Sequence, residues 1–94
     1  MSSKAERRAA REAVAAYHEA ELVKLVERAG EALDGFRSGQ LDAFEVDQVL
    51  FQYSRAAKEL WKFCNIGSVE LTASLINRSA PSIDWWERGA PRRR

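Results

Sequence analysis

Five glycines, two prolines, one cysteine and one histidine are all that 94 residues hold of the types that punctuate a fold or build a reactive centre. The lone cysteine excludes an internal disulfide framework and fits a reducing compartment, so a cytoplasmic location is expected. One histidine and one cysteine cannot close a zinc site within one chain, and neither a metal nor another cofactor is expected. No stretch approaches the ~20 apolar residues of a membrane span, so no membrane partner is expected. The longest apolar run near the N-terminus, Ala13 to Tyr17, is too short for the core of a signal peptide. A glycine-rich phosphate loop, Gly-x-Ser-x-Gly and His-Glu-x-x-His are all missing. No catalytic residue can be nominated, and the expectation is that the chain is not an enzyme.

What is present is an ordinary globular balance, with 46% hydrophobic and 31% charged residues. A chain of this length forms one domain that buries only about two-thirds of its unfolded surface, so it gains from dimerising. The net charge of +1 hides a segregation: residues 1–11 carry +3, residues 88–94 carry +4, and the middle therefore carries −6. Arg7, Arg8 and Arg11 at one end and Arg92, Arg93 and Arg94 at the other are candidate contacts for phosphate or an acidic partner. The competing reading is that they solubilise frayed ends.

The segment Gly39-Gln-Leu-Asp-Ala-Phe-Glu45 reads as a reversal of direction. Gly39 can take the left-handed conformation that ends one helix. Asp42 can cap the next, with Glu45 completing a capping box and Leu41 and Val46 spaced as a hydrophobic staple. The helix before the bend is predicted over about 4–37, opened by Ser3 and Glu6, with Gly30 the expected place for a bend. The helix after it is predicted over 43–64. Its apolar positions Val46, Leu50, Tyr53, Ala57, Leu60 and Cys64 step by four and three as a heptad seam. Folding at Gly39–Leu41 pairs positions whose numbers sum to 82 or 83. Phe36 then faces Val46, Leu33 faces Leu50, Ala29 faces Tyr53, Val26 faces Ala57 and Leu22 faces Leu60. Small residues meet large ones along this row, as an interdigitating core requires.

A second apolar column, Val49, Ala56 and Phe63, lies beside the seam and needs a further partner. The expected partner is a second copy, giving a dimeric four-helix core. Gly67 and Ser68 open a third helix, over about 69–78, which Ser79-Ala80-Pro81 ends. Ser82 is the expected cap of a last helical turn over 82–88, stopped by Gly89 and Pro91. These two short elements are available to cover the overhang of the first helix. Residues 1–89 are expected to form one helical domain and 90–94 a disordered basic tail.

Few residues invite chemistry. His18 and Cys64 also sum to 82 and so are expected side by side, as a nucleophile pair or, far more commonly, as packed core. Glu19 and Glu21 nearby oppose thiolate formation. Glu27, Glu31 and Asp34 are spaced as a solvated face. Trp61 edges the broad apolar arc, and Trp85 and Trp86, being adjacent, point in different directions. One of that pair can anchor the last turn near Val14 and Tyr17, and the other is left as cover or as an interface anchor. The candidate interface is thus Val49, Ala56, Phe63, Trp61, Trp85 and Trp86. The bend, with Tyr53, Ala57 and Cys64 after it, resembles the small subunit of exonuclease VII, a helical hairpin with a Gly-x-Leu bend. The tryptophan-bearing C-terminal segment departs from that family. The expected function is a non-enzymatic interaction or scaffold protein, acting as a homodimer or as the small partner of a larger protein. The alternative is a nucleic-acid-associated accessory protein working through its basic ends, with bases stacking on the tryptophans.

Overall fold

The computed structural model describes residues 3–79 and 83–91. Four helices follow one another: α1 Lys4–Arg37, α2 Ala43–Asn65, α3 Val69–Ser79 and α4 Trp85–Arg88, with no strand among the described residues. The entry to α1 is a capping box, in which Ser3 Oγ accepts from the Glu6 N–H at 3.1 Å and Glu6 Oε1 accepts from the Ser3 N–H at 3.4 Å. The helix then runs for 34 residues straight through Gly30, where a bend was expected. A Cβ at Gly30 would meet nothing within 4 Å. Unbroken i→i−4 bonding on both sides carries the helix across that weak point.

The reversal is a Schellman motif. Gly39 sits at φ 82, its N–H donates to the Phe36 carbonyl at 3.1 Å and the Gln40 N–H donates to the Gly35 carbonyl at 2.8 Å. Asp42 and Glu45 form the second capping box, at 2.8 and 3.0 Å. Leu41 packs on Gly35: a Cβ there would lie 3.0 Å from Leu41 Cγ and Cδ1.

α1 and α2 pack together, but the inner face of α1 is turned away from Val26, Leu33 and Phe36 toward the residues that precede them. Leu25, Ala32 and Gly35 are buried, whereas Val26, Leu33 and Phe36 are 51%, 39% and 51% exposed. Leu22 stays packed against the core and Ala29 half-buried, so the rotation is a fraction of the ~100° that one residue spans. The cause is steric. Ala32 and Gly35 present almost no side chain, so the chain closes tightly at the bend on that line; Leu33 and Phe36 facing inward would hold it open. On α2, Val46, Ala56, Leu60 and Cys64 are buried, while Leu50, expected opposite Leu33, is 41% exposed.

α3 covers the N-terminal overhang of α1, as expected, with Ala73 joining Ala10 and Val14 in the core and Val69 and Ile76 packed against them. Gly67 at φ 101 makes the turn into α3, and the buried Thr72 hydroxyl donates to the Ser68 carbonyl. α4 does not continue over the overhang; it lies across one broad side of the hairpin. Its cap is Asp84, whose carboxylate accepts from the Glu87 N–H at 3.2 Å, so the helix starts at Trp85. The expected cap Ser82, the break at Ala80-Pro81 and the tail Arg92–Arg94 lie outside the described residues. The molecule measures 56 × 31 × 18 Å. With helices about 10 Å across, the thinnest dimension holds no more than two layers, and α4 supplies the second on one side only.

Candidate functional site

The α4 side is a closed joint. Trp85, 5% exposed, is held by its indole Nε1–H donating to the Tyr17 hydroxyl at 3.1 Å. Phe63 stands between the two rings, with centroids 5.8 Å from Tyr17 and 5.4 Å from Trp85, both tilted as aromatic pairs prefer. Two α2 side chains take the last carbonyls of α4: Gln52 Nε2–H donates to Trp86 O at 2.9 Å and Arg55 Nε–H to Gly89 O at 2.6 Å. Gly89 itself presses on α2. A Cβ there would come within 2.5 Å of the Gln52 carbonyl and 2.6 Å of the Ala56 nitrogen.

This joint decides the fate of the column expected to meet a second copy. Ala56 is fully enclosed and Phe63 is packed into the core cluster, both within one chain. Only Val49 lies past the reach of α4, half-buried near Leu41 and the 84% exposed Phe44. Of the tryptophans, Trp85 is the anchor near Tyr17. Trp86 is half-buried, with the Arg28 guanidinium 5.5 Å from its ring centre. Trp61 is 53% exposed. The role of Gly89 as a contact with α2 was hidden in the sequence, where it reads as a helix stop; an anchor near Tyr17 was expected of one tryptophan of the pair, and Trp85 is the one that provides it.

His18 and Cys64 line one cavity of about 390 Å³ with Arg11, Val14, Ala15 and Val69. Cys64 is 6% exposed, and burial pushes its thiol up to about 11. At neutral pH it is a thiol, not the thiolate that nucleophilic chemistry needs. No group of three or more metal-ligating side chains occurs among the described residues. A smaller recess of about 210 Å³ between α1 and α4 is lined by Glu21, Lys24, Arg28, Asp84 and the two tryptophans. Its charges balance, and Lys24 is tied to Glu21 at 2.8 Å, so it presents no single-sign field to a ligand. Arg7, Arg8 and Arg11 are exposed on the first turns of α1.

The side of the hairpin away from α4 is the open one. Placed at 100° per residue, Val26 and Leu33 of α1 fall on the flank opposite Tyr17 and Arg28, which touch α4, while Phe36 falls nearer the α2 side, beside the bend. Leu50 and Trp61 of α2 fall on the flank opposite Gln52 and Ala56. All five are between 39% and 53% exposed. Together they form one apolar row over both helices, with half-buried Leu22, Ala29 and Ala57 between them. Sequence reasoning found these residues and assigned most of them to the core between the helices; the rotation of α1 leaves them at its edge. Among the described residues no helix is long and apolar enough to cross a membrane. No family model, no curated protein and no solved structure matches the chain.

Proposed function

We propose that this chain is a non-enzymatic helical interaction or scaffold protein, acting as a homodimer or as the small partner of a larger protein. The observation that carries the reading is the row Val26, Leu33, Phe36, Leu50 and Trp61, large apolar side chains left half-exposed on one side of a rigid hairpin. A contiguous apolar patch of this kind marks a contact surface more often than a solvent-facing one. The buried, protonated Cys64 and the charge-balanced recess beside α4 give chemistry no comparable foothold.

The test is affinity capture from a native extract, comparing the wild-type chain with Leu33→Glu and Leu50→Glu variants checked for helicity by circular dichroism. A stoichiometric protein retained by the wild type and lost by both variants supports the reading. Equal retention by all three refutes it. A gel shift with single-stranded or duplex DNA that weakens steeply with salt and is lost in an Arg7→Ala/Arg8→Ala variant would favour the nucleic-acid alternative instead.

A further inference from the structure

We propose that the outer side of α2, at the end where α4 docks, binds the phosphodiester backbone of a single-stranded nucleic acid, with a base stacked on Phe51. This goes beyond the interaction reading. It uses none of the apolar row, and either can fail without the other.

The fold assembles the site. Arg55, Lys58 and Lys62 come from α2 and Arg88 from the end of α4; with Ala90 they line a groove of about 270 Å³ in which Glu59 is the one carboxylate. Glu59 is already engaged, 3.3 Å from Lys62 Nζ. Among the described residues no carboxylate pairs with Arg55, Lys58 or Arg88. Four cations against one acid leave the groove a net charge of +3. Both guanidiniums are held by the fold rather than left to swing. Arg55 spends its Nε–H on the Gly89 carbonyl at 2.6 Å, which leaves both terminal amino groups of its fork to donate elsewhere. Arg88 rests 5.8 Å from the centre of the Trp85 ring. Docking α4 therefore brings like charges together and fixes them, and an anion between them relieves the repulsion. The recess on the other side of α4, where acids and bases balance, has no such need.

The neighbouring side chain says which anion. At 100° per residue Phe51, Arg55, Lys58 and Lys62 fall within about 60° of arc, opposite Val46, Leu60 and Cys64, which are buried. Phe51, one turn from Arg55, is 59% exposed and points away from α1. Free phosphate leaves that ring in water, and an acidic peptide has to bring an apolar side chain to that one place. Every unpaired nucleotide carries a π-face that covers it, whereas a duplex keeps its bases inside. From Phe51 to Lys62 the stripe is about 17 Å long, matching the short end of the ~4–16 nucleotides that single-strand sites occupy. Beyond Phe51 the exposed acids Asp47, Glu45 and Asp42 repel phosphate and end the strand's path.

The test is fluorescence anisotropy of a labelled oligothymidylate of about 12 nucleotides, titrated with the full chain. Binding is expected at a Kd on the order of 10 µM in 50 mM salt, and with about three phosphates neutralised it should weaken ~20-fold between 50 and 200 mM. Lys58→Glu should weaken it ~10-fold and Phe51→Ala ~5-fold or more. Both residues are exposed, so circular dichroism should show the wild-type helicity. Leu33→Glu should bind as the wild type does. No binding at ~200 µM protein in 50 mM salt overturns the proposal. So does binding that survives Lys58→Glu but is lost on removing Arg7 and Arg8 or Arg92–Arg94, because the contact then lies at the chain ends. Binding indifferent to Phe51→Ala, or displaced as readily by polyglutamate of equal charge, overturns it too, because the groove then takes any polyanion.

Discussion

Replacing Gly89 by alanine should undock α4, and the structure sets the size of the effect. Gly89 has φ −89, a value any residue adopts, so the backbone itself tolerates a side chain. The obstacle is space. The new methyl would lie 2.5 Å from the Gln52 carbonyl and 2.6 Å from the Ala56 nitrogen, both backbone atoms of α2 that cannot swing aside. Overpacking against movable side chains costs about 1–3 kcal/mol, and a rigid wall puts this case at the upper end. The ceiling is complete detachment of α4, which uncovers Trp85 and Ala56, now 5% and 0% exposed; losing a buried aromatic costs about 3–5 kcal/mol. A loss of about 3 kcal/mol lowers the melting temperature of a domain this small by roughly 12–24 °C. Thermal melting by far-UV circular dichroism reads the loss, and a red shift of tryptophan emission reports Trp85 entering water. Gly30→Ala is the matched comparison: the same change, inside a helix and facing open space, should stabilise by about 0.5–1 kcal/mol. A Gly89→Ala protein that melts with the wild type and keeps its emission would show that α4 is not seated on α2 as described.

Tyr17→Phe removes the acceptor for the buried Trp85 indole N–H and should destabilise the fold by about 1–2 kcal/mol in urea unfolding, with little change in secondary structure. Arg28→Ala takes a guanidinium off the half-buried Trp86 ring and should cost about 0.5–1 kcal/mol in the same assay. Native Cys64 should react with iodoacetamide at neutral pH far more slowly than the urea-unfolded chain, because burial raises its thiol from an ordinary 9.0 to about 11; equal rates would refute the enclosure of the thiol. The same shift predicts alkaline sensitivity. The folded state holds the proton more tightly than the unfolded state, so the contribution is fully present below pH 9 and is lost as pH rises through about 11. Cys64→Ala should flatten that part of the stability profile.

The bend and the helix ends were legible because each is decided by residues within six positions of one another. Gly39 at positive φ and the Ser3–Glu6 and Asp42–Glu45 boxes are local chemistry, and all three stand where the pattern placed them. The seat of α4 was legible only in part. A tryptophan anchored near Tyr17 was expected and is Trp85. The seat also depends on Gly89 meeting Ala56, and no periodicity encodes a contact made by the absence of a side chain. Asp84 was overlooked as a cap because Ser82, two residues earlier, is an equally good capping type.

The error at the helix interface is the instructive one, because it bears on function. A wheel drawn for α1 holds Leu25 and Ala32 in the same apolar arc as Val26, Leu33 and Phe36, and the pairing at the bend set the three larger residues inward. Packing weights fit instead. Ala32 and Gly35 sit between those residues and allow close approach, so the line Leu25–Ala32–Gly35 turns inward and the larger side chains are carried to the edge. That rotation does not expose polar groups to the core: among the described residues no buried side-chain polar atom lacks a partner. It moves apolar area outward instead, on the side that α4 does not cover. The apolar arc was therefore wider than one helical partner needs, as its sequence implied, but the two halves have different owners. One half is taken by Trp85 and Gly89 of the same chain. The other, carried by Val26, Leu33, Phe36, Leu50 and Trp61, is the half on which any protein binding by this chain should depend, and a charge introduced at Leu33 or Leu50 reaches it without disturbing the joint that holds α4.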